Sequence, residues 1–407
     1  MNNMKIFVFF KEKYFYLFYS LLIVLSLYLL GNFGFFNIFN VKYELTIIVV
    51  SVLFLYSFYI LMLYKKIHMV SWFLLYLFIS SLFLNVFYFN YTIKLLLLFF
   101  VINCLFLIEI KYIEIIIKTT IFITGIFSFI GIGLFIFYYF NGELLNSLER
   151  VFKSYDTFID LSDLPFHQKF GFVIEKAERN FLGLQYIRSR SYCSEPSLSI
   201  PLFFAIGILS MSYKKWFKYI GIIILFFAVI LIYSASAIVS LILSMFFIIG
   251  MYCIRENIHI KAFLIILLVH SGLILLFFIN ISIFNSITPE SKLTSLSSRV
   301  FTIQEGISSL ILNPFWNTEN FNNSFISMLI TFSGGIPLLG VSLISYFFYK
   351  LFLVAIKLYP HNKLFIALLC GLLIQIILFS SGAWTSFPGI VILVLIYRYL
   401  ENKSLNE

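Results

Sequence analysis

The chain reads as a succession of long apolar runs separated by short polar connections. Each run continues for roughly 18 to 24 residues, enough to cross the hydrocarbon core of a bilayer as a helix. The runs predict spans at 14–32, 44–64, 69–89, 93–110, 119–140, 196–213, 216–233, 235–254, 262–284, 324–349, 364–381 and 383–400. Barrel strands would instead alternate apolar and polar residues over about ten positions, and the runs do not alternate. Lipid offers the backbone no hydrogen-bond partners, so a spanning run must be a helix that satisfies its own N–H and C=O groups. The expected fold is all-α, a polytopic membrane protein of about 12 transmembrane helices.

Two stretches interrupt the rhythm and set the organisation. Residues 1–140 carry spans one to five, 141–195 form a long outer loop, 196–284 carry spans six to nine, 285–323 form a second outer loop, and 324–407 carry the last three spans and a cytoplasmic tail. Loops of this length without a structured role are uncommon. The first shows helical patterning at Leu144, Leu145, Leu148, Val151 and Phe152, with Asp156, Asp160 and Asp163 further on. Short interfacial helices covering a cavity between the spans are the expectation.

Composition excludes a soluble globular chain: 62% of the 407 residues are apolar and 11% charged, with mean hydropathy +1.03. The formal charge of +10 is explained by topology. With the N-terminus inside, seventeen of the 28 basic residues fall in inner segments, among them Lys65, Lys66, Lys214, Lys215, Lys218, Lys350, Lys357 and Lys363. The short outer connections hold only Lys42 and Lys94, so the positive-inside rule places both termini in the cytoplasm. The basic residues are not gathered in one soluble segment, and no nucleic-acid partner is expected. Cys104, Cys193, Cys253 and Cys370 fall one per region, without metal-ligand spacing or an evident disulfide pair. The first apolar run lacks a small-residue cleavage site and reads as a retained helix.

The spans themselves are nearly free of charge, unlike those of transporters and proton-coupled pumps. Glu109 sits at a cytoplasmic end, Lys94 can snorkel outward, and the mid-span polar groups of note are His270 and Gln375. His270 reads as a hydrogen-bonded structural residue, and Gly131 with Gly133 as a weakly helical stretch of the fifth span. Candidate chemistry therefore lies at the outer boundary. There the first loop ends Arg179-Asn-Phe-Leu-Gly183, then Arg188-Ser-Arg190-Ser-Tyr-Cys-Ser-Glu195-Pro196-Ser197. Pro196 suits the first turn of a helix, and a carboxylate at Glu195 suits its positive end. That explanation leaves Arg188 and Arg190 over, and guanidinium groups bind phosphate bidentately. The second loop carries Ser297-Ser298-Arg299, Gln304-Glu305-Gly306, Asn313-Pro314-Phe315-Trp316 and Asn322-Asn323, followed by Ser333-Gly334-Gly335-Ile336-Pro337. Asn-Pro is a turn and the glycines allow close helix packing, but neither accounts for an Arg on each of two outer loops.

These residues resemble the Wzy-type O-antigen or capsular polysaccharide polymerases and the related O-antigen ligases. The likeness covers roughly residues 180–345, together with the twelve-span plan. In that superfamily a long outer loop ends in an Arg and a Glu/Asp/Asn-Pro pair leading into a helix, as Arg188 to Glu195-Pro196 does here. Arg299, Asn313-Pro314 and Asn322-Asn323 match the second loop, and Ser234-Ala235-Ser236 weakly mirrors a Ser-Arg-Ser junction without its Arg. Asn322 stands where ligases have His, and Phe315-Trp316-Asn317 replaces a Gly-x-Gly, so the departures favour polymerase over ligase. A lipid-linked oligosaccharide flippase, which needs no chemistry, is the further alternative.

The resemblance implies a GT-C-like membrane glycosyltransferase in the bacterial inner membrane. It would move a glycan from an undecaprenyl-diphosphate donor to the terminal sugar of another lipid-linked repeat unit on the outer face. Glu195, Arg299 and Asn322 become candidate catalytic residues, and Arg188, Arg190, Arg179 and Asn323 candidate substrate-binding residues. Expected partners are the lipid-linked oligosaccharides, membrane lipids, and a chain-length regulator and flippase. No Asp-x-Asp or other hard-metal cluster occurs in the outer loops, so neither a metal nor a cofactor is expected.

Overall fold

A computed structural model describes residues 2–30, 42–64, 66–67, 89–140, 174–181, 184–189, 199–214, 216–232, 235–253, 257–278, 304, 307–308, 311–312, 337–379, 384 and 386–406. The expected span at 69–89, apart from its last residue, and the helical patterning at 144–163 lie outside the described residues.

Helices make up every described element but two. In order these are α1 (Asn2–Leu29), α2 (Lys42–Tyr64), α3 (Phe89–Leu107) and α4 (Ile110–Phe140). An antiparallel hairpin of β1 (Ile174–Phe181) and β2 (Leu184–Ser189) follows. A π-helical turn, Ile200–Ala205, leads into α5 (Ile206–Ser210), and α6 (Trp216–Phe226) ends in a second π-helical turn, Phe227–Leu231. The chain continues through α7 (Ala235–Cys253), α8 (Ile258–Phe278), α9 (Pro337–Leu358), α10 (Lys363–Phe379) and α11 (Phe387–Asn406). The described elements are otherwise helical, as expected, while residues 174–189 of the first long loop form strands rather than interfacial helices.

Among the described residues, Glu44–Tyr64 and Ile110–Phe137 are long and apolar enough to cross a membrane. Tyr14–Leu29, Leu96–Leu107, Ile200–Ser210, Ile258–Gly272 and Lys363–Leu378 are shorter apolar helical stretches. Large apolar side chains stand exposed along the two long helices: Ile47, Ile48, Leu55 and Met62 on α2, and Phe122, Phe129 and Phe137 on α4. Contiguous apolar exposure on this scale is what a lipid environment accepts and water does not.

Some boundaries move for local reasons. The connector expected between spans four and five, 111–118, is helical and continuous with α4. It contains no Gly or Pro, it buries Ile113, Ile116 and Ile117, and Lys118 pairs with Glu114 one turn away at 3.0 Å. Only Ile108 and Glu109 separate it from α3, and Glu109 pairs there with Lys111. Gly131 and Gly133 do not weaken α4 enough to break it. Helix α9 runs past the expected end at 349, through Lys350 and Lys357.

The helices gather in two units. The first comprises residues 1–68, 100–233 and 391–402. Polar side chains knit its apolar helices together. The Tyr19 hydroxyl lies 3.0 Å from Ser57 Oγ, joining α1 to α2, and the Tyr28 hydroxyl lies 2.7 Å from Thr124 Oγ, joining α1 to α4. In a membrane, where lipid is as apolar as Leu, such bonds and close packing replace the hydrophobic effect as the source of helix association. Glycines bring helices together: a Cβ at Gly207 would lie 2.9 Å from Leu225 of α6, and one at Gly221 would lie 3.0 Å from Ser210 Cβ of α5. Arg398 on α11 donates through Nε to the Leu105 carbonyl at 3.2 Å and through a terminal nitrogen to the Ile108 carbonyl at 3.3 Å. It thereby caps the C-terminal carbonyls of α3, while Glu401 at 3.0 Å holds the guanidinium in place.

The second unit comprises residues 69–99, 234–390 and 403–407. Its tightest pair is α7 with α10, where Gly371 sits against Ser240 and Ser244. At the turn after α9, the Tyr359 ring packs 5.9 Å from Phe247, and burial raises its hydroxyl above the ordinary phenol range. His270 of α8 is fully engaged. Its Nδ1–H donates to the Ile266 carbonyl at 2.7 Å, which can only accept, so Nε2 is left to accept from the Ser345 hydroxyl of α9 at 3.2 Å. The structural reading of this histidine holds.

Candidate functional site

The candidate residues divide sharply. Arg179 lies on β1 and Arg188 on β2, so the structure brings these two onto one hairpin. Arg190, Glu195, Arg299, Asn322 and Asn323 lie outside the described residues.

The hairpin is irregular where it matters. Its register pairs Ile174 with Ser189, Glu175 with Arg188 and Lys176 with Ile187, then shifts and resumes with Asn180 opposite Gln185 and Phe181 opposite Leu184. Ala177, Glu178 and Arg179 of β1 therefore stand against Tyr186 alone. Bulged strands bend, and such irregularities are common beside functional sites because they re-aim the chain. Glu175 holds the register position directly opposite Arg188. Arg179, at the shift, has no residue directly opposite it in the ladder.

Beyond Ser189 the chain reaches a wholly buried segment, Ile200–Ser210. Its first turn is π-helical and contains Pro201, which has no N–H to give the ladder. Pro201 thus stands in the first turn of the described helix, and Pro196 lies outside the described residues. A second π-helical turn, Phe227–Leu231, packs against the first through the Phe203 and Phe227 rings, 5.2 Å between centroids. π-Helical turns are rare and frequent at functional sites, and sequence periodicity gives no sign of either. The hairpin does leave a trace, in Phe181-Leu-Gly-Leu184 followed by Tyr186-Ile187, a short Gly-containing connection flanked by strand-forming residues. In the second long loop, residues 304, 307, 308, 311 and 312 are helical, with Ile311 and Leu312 exposed. Among the described residues no three His, Cys, Asp or Glu side chains gather as metal ligands would.

These features define a predominantly helical chain with helices fit to cross a membrane and an arginine-bearing hairpin ahead of a buried, π-helical segment. Comparison with protein-family models, with curated proteins and with solved structures gives no match.

Proposed function

We propose that the protein is an oligosaccharide repeat-unit polymerase of the Wzy type, a metal-independent glycosyltransferase with twelve spans in a GT-C-like arrangement. It sits in the bacterial inner membrane with both termini cytoplasmic. It transfers a glycan from an undecaprenyl-diphosphate donor to the terminal sugar of a second lipid-linked repeat unit on the outer face.

One observation carries the reading: Arg179 and Arg188 share a hairpin whose second strand ends at Ser189, directly before Arg190 and the Glu195-Pro196 segment. In the proposed reaction the bond from the sugar's anomeric carbon to the diphosphate oxygen breaks. A bond from that carbon to the acceptor hydroxyl oxygen forms, and the hydroxyl proton passes to a base. Charge grows on the diphosphate as it leaves, so fixed guanidinium donors stabilise the transition state more than the ground state. Arg188, Arg190 and Arg299 supply those donors, with Arg179 and Asn323 holding the substrate. Glu195 takes the proton as the carboxylate nearest in sequence to Arg188 and Arg190, and Asn322 orients the hydroxyl, since an amide has no useful basicity near neutral pH.

The roles of Glu195 and Asn322 separate by rate. Glu195→Gln is expected to slow polymerisation by purified protein in lipid by about 10²-fold or more, the scale of general-base catalysis, and Asn322→Ala by less. Near-total loss in Asn322→Ala beside an unaffected Glu195→Gln would reverse the assignment.

A further inference from the structure

Three serines of α7, Ser236, Ser240 and Ser244, recur at every fourth position, and all three are buried. Ser240 and Ser244 face α10 at Gly371: a Cβ added there would run into the Ser240 carbonyl oxygen and the Ser244 hydroxyl, and would lie 2.6 Å from the Ser244 nitrogen. The two helices are antiparallel, because Phe247, further along α7, packs against Tyr359, which precedes α10. One turn forward along α10 from Gly371 therefore corresponds to one turn back along α7, from Ser240–Ser244 to Ser236–Ser240.

The residue at that next turn is Gln375. It is completely buried, and among the described residues neither Nε2 nor Oε1 meets a hydrogen-bonding partner. A primary amide buried with both ends unmatched is costly, and an apolar side chain of the same size would avoid the cost. The serines do not use their donors on it. Ser240 donates to the Ser236 carbonyl at 2.8 Å and Ser244 to the Ser240 carbonyl at 2.7 Å, which leaves each hydroxyl oxygen able to accept. The interface thus presents a donor and an acceptor from Gln375 beside an acceptor from Ser240. The buried hydrogen-bonding side chains described on α7 and α10 are serine hydroxyls, the Gln375 amide and the Cys370 thiol, none of them a cation or a carboxylate, so a ligand here is neutral.

We propose that Gln375 and the Ser236–Ser240 turn hold one neutral hydroxyl group between α7 and α10. Oε1 accepts its hydrogen, Nε2 donates to its oxygen, and Ser240 Oγ accepts a hydrogen bond from a second donor of the same site. The hydroxyl is that of an internal water or of a carbohydrate. The proposal rests on the packing of this unit and is independent of the glycosyl-transfer reading.

The thermal midpoint of the full-length protein in detergent tests it, measured for wild type, Gln375→Met, Ser240→Ala and the double variant, each with and without methyl α-glucoside. A held hydroxyl makes the two substitutions non-additive, since each removes part of one shared site, and lowers both single-variant midpoints by several degrees. A sugar source adds a rise in the wild-type midpoint with the glucoside that Gln375→Met abolishes; a water source leaves the glucoside without effect while the coupling persists. Additive effects of the two substitutions, together with no response to the glucoside, overturn the proposal. Gln375→Leu takes the place of Gln375→Met in the same cycle if the latter fails to accumulate.

Discussion

Replacing Gly371 by Val is expected to abolish accumulation of folded protein. In an exposed helix, a residue with a Cβ would gain by roughly half to one kcal/mol over Gly. Here the added Cβ meets the backbone carbonyl of Ser240 and the backbone nitrogen of Ser244, neither of which can rotate away as a flexible side chain would. Overpacking that forces backbone shifts costs about 1 to 3 kcal/mol or more, and the two extra methyl groups of Val place this site at the upper end. The clash therefore outweighs the propensity gain. Gly133 provides the contrast: a Cβ there meets nothing within 4 Å, so Gly133→Ala should leave expression unchanged or raised. The amount of monodisperse protein recovered from detergent-solubilised membranes reads both. Equal recovery of Gly371→Val and wild type would show that α7 and α10 are not packed as described.

Arg299→Lys is expected to collapse the polysaccharide ladder to single repeats while leaving protein levels unchanged. Lysine keeps the positive charge but loses the planar fork that engages two phosphate oxygens at once. Removing one preorganised donor from a site that stabilises a departing anion lowers turnover by about 10² to 10³-fold, enough to erase long chains. Arg188→Ala and Arg299→Ala are each expected to shorten the chains, since each removes a guanidinium donor. Gel-resolved chain length in strains making normal amounts of each variant reads the result. Long ladders persisting in both Arg188→Ala and Arg299→Ala would remove these residues from the site.

Helix α2 is legible in the amino-acid sequence almost to the residue, because unbroken apolarity over 44–64 has one solution in lipid. His270 reads as structural for the reason the structure gives, that a lone imidazole in an apolar helix takes partners within reach. The hairpin leaves a trace only in its connection and second strand; its first strand is not legible, because Ile174 to Phe181 contains Glu, Lys, Ala, Glu and Arg in succession, residues at home in helices, and its strand character depends on pairing with Leu184 to Ser189. The π-helical turns are equally hidden. Pro201 accounts for the first, but Phe227 to Leu231 is ordinary helical sequence, and its widened turn lies against Phe203, a contact no local pattern records. Gln375 is visible as an oddity in an apolar run, whereas its isolation and its position opposite the α7 serines depend on the packing of the two helices. Of the candidate site, residue type and spacing single out the arginines, but not that Arg179 falls at a register shift while Arg188 is paired within the ladder.

The central claim is that the protein forms a glycosidic bond. The most direct test supplies the purified protein, reconstituted in lipid without added metal, with a single species of undecaprenyl-diphosphate-linked repeat unit. Free undecaprenyl diphosphate is expected to be released in step with the appearance of lipid-linked chains of two, three and more repeats, and both are expected to be abolished in Arg299→Ala. Repeat units that stay single, release no undecaprenyl diphosphate and only change the leaflet they face would contradict it and assign the chain to transport instead.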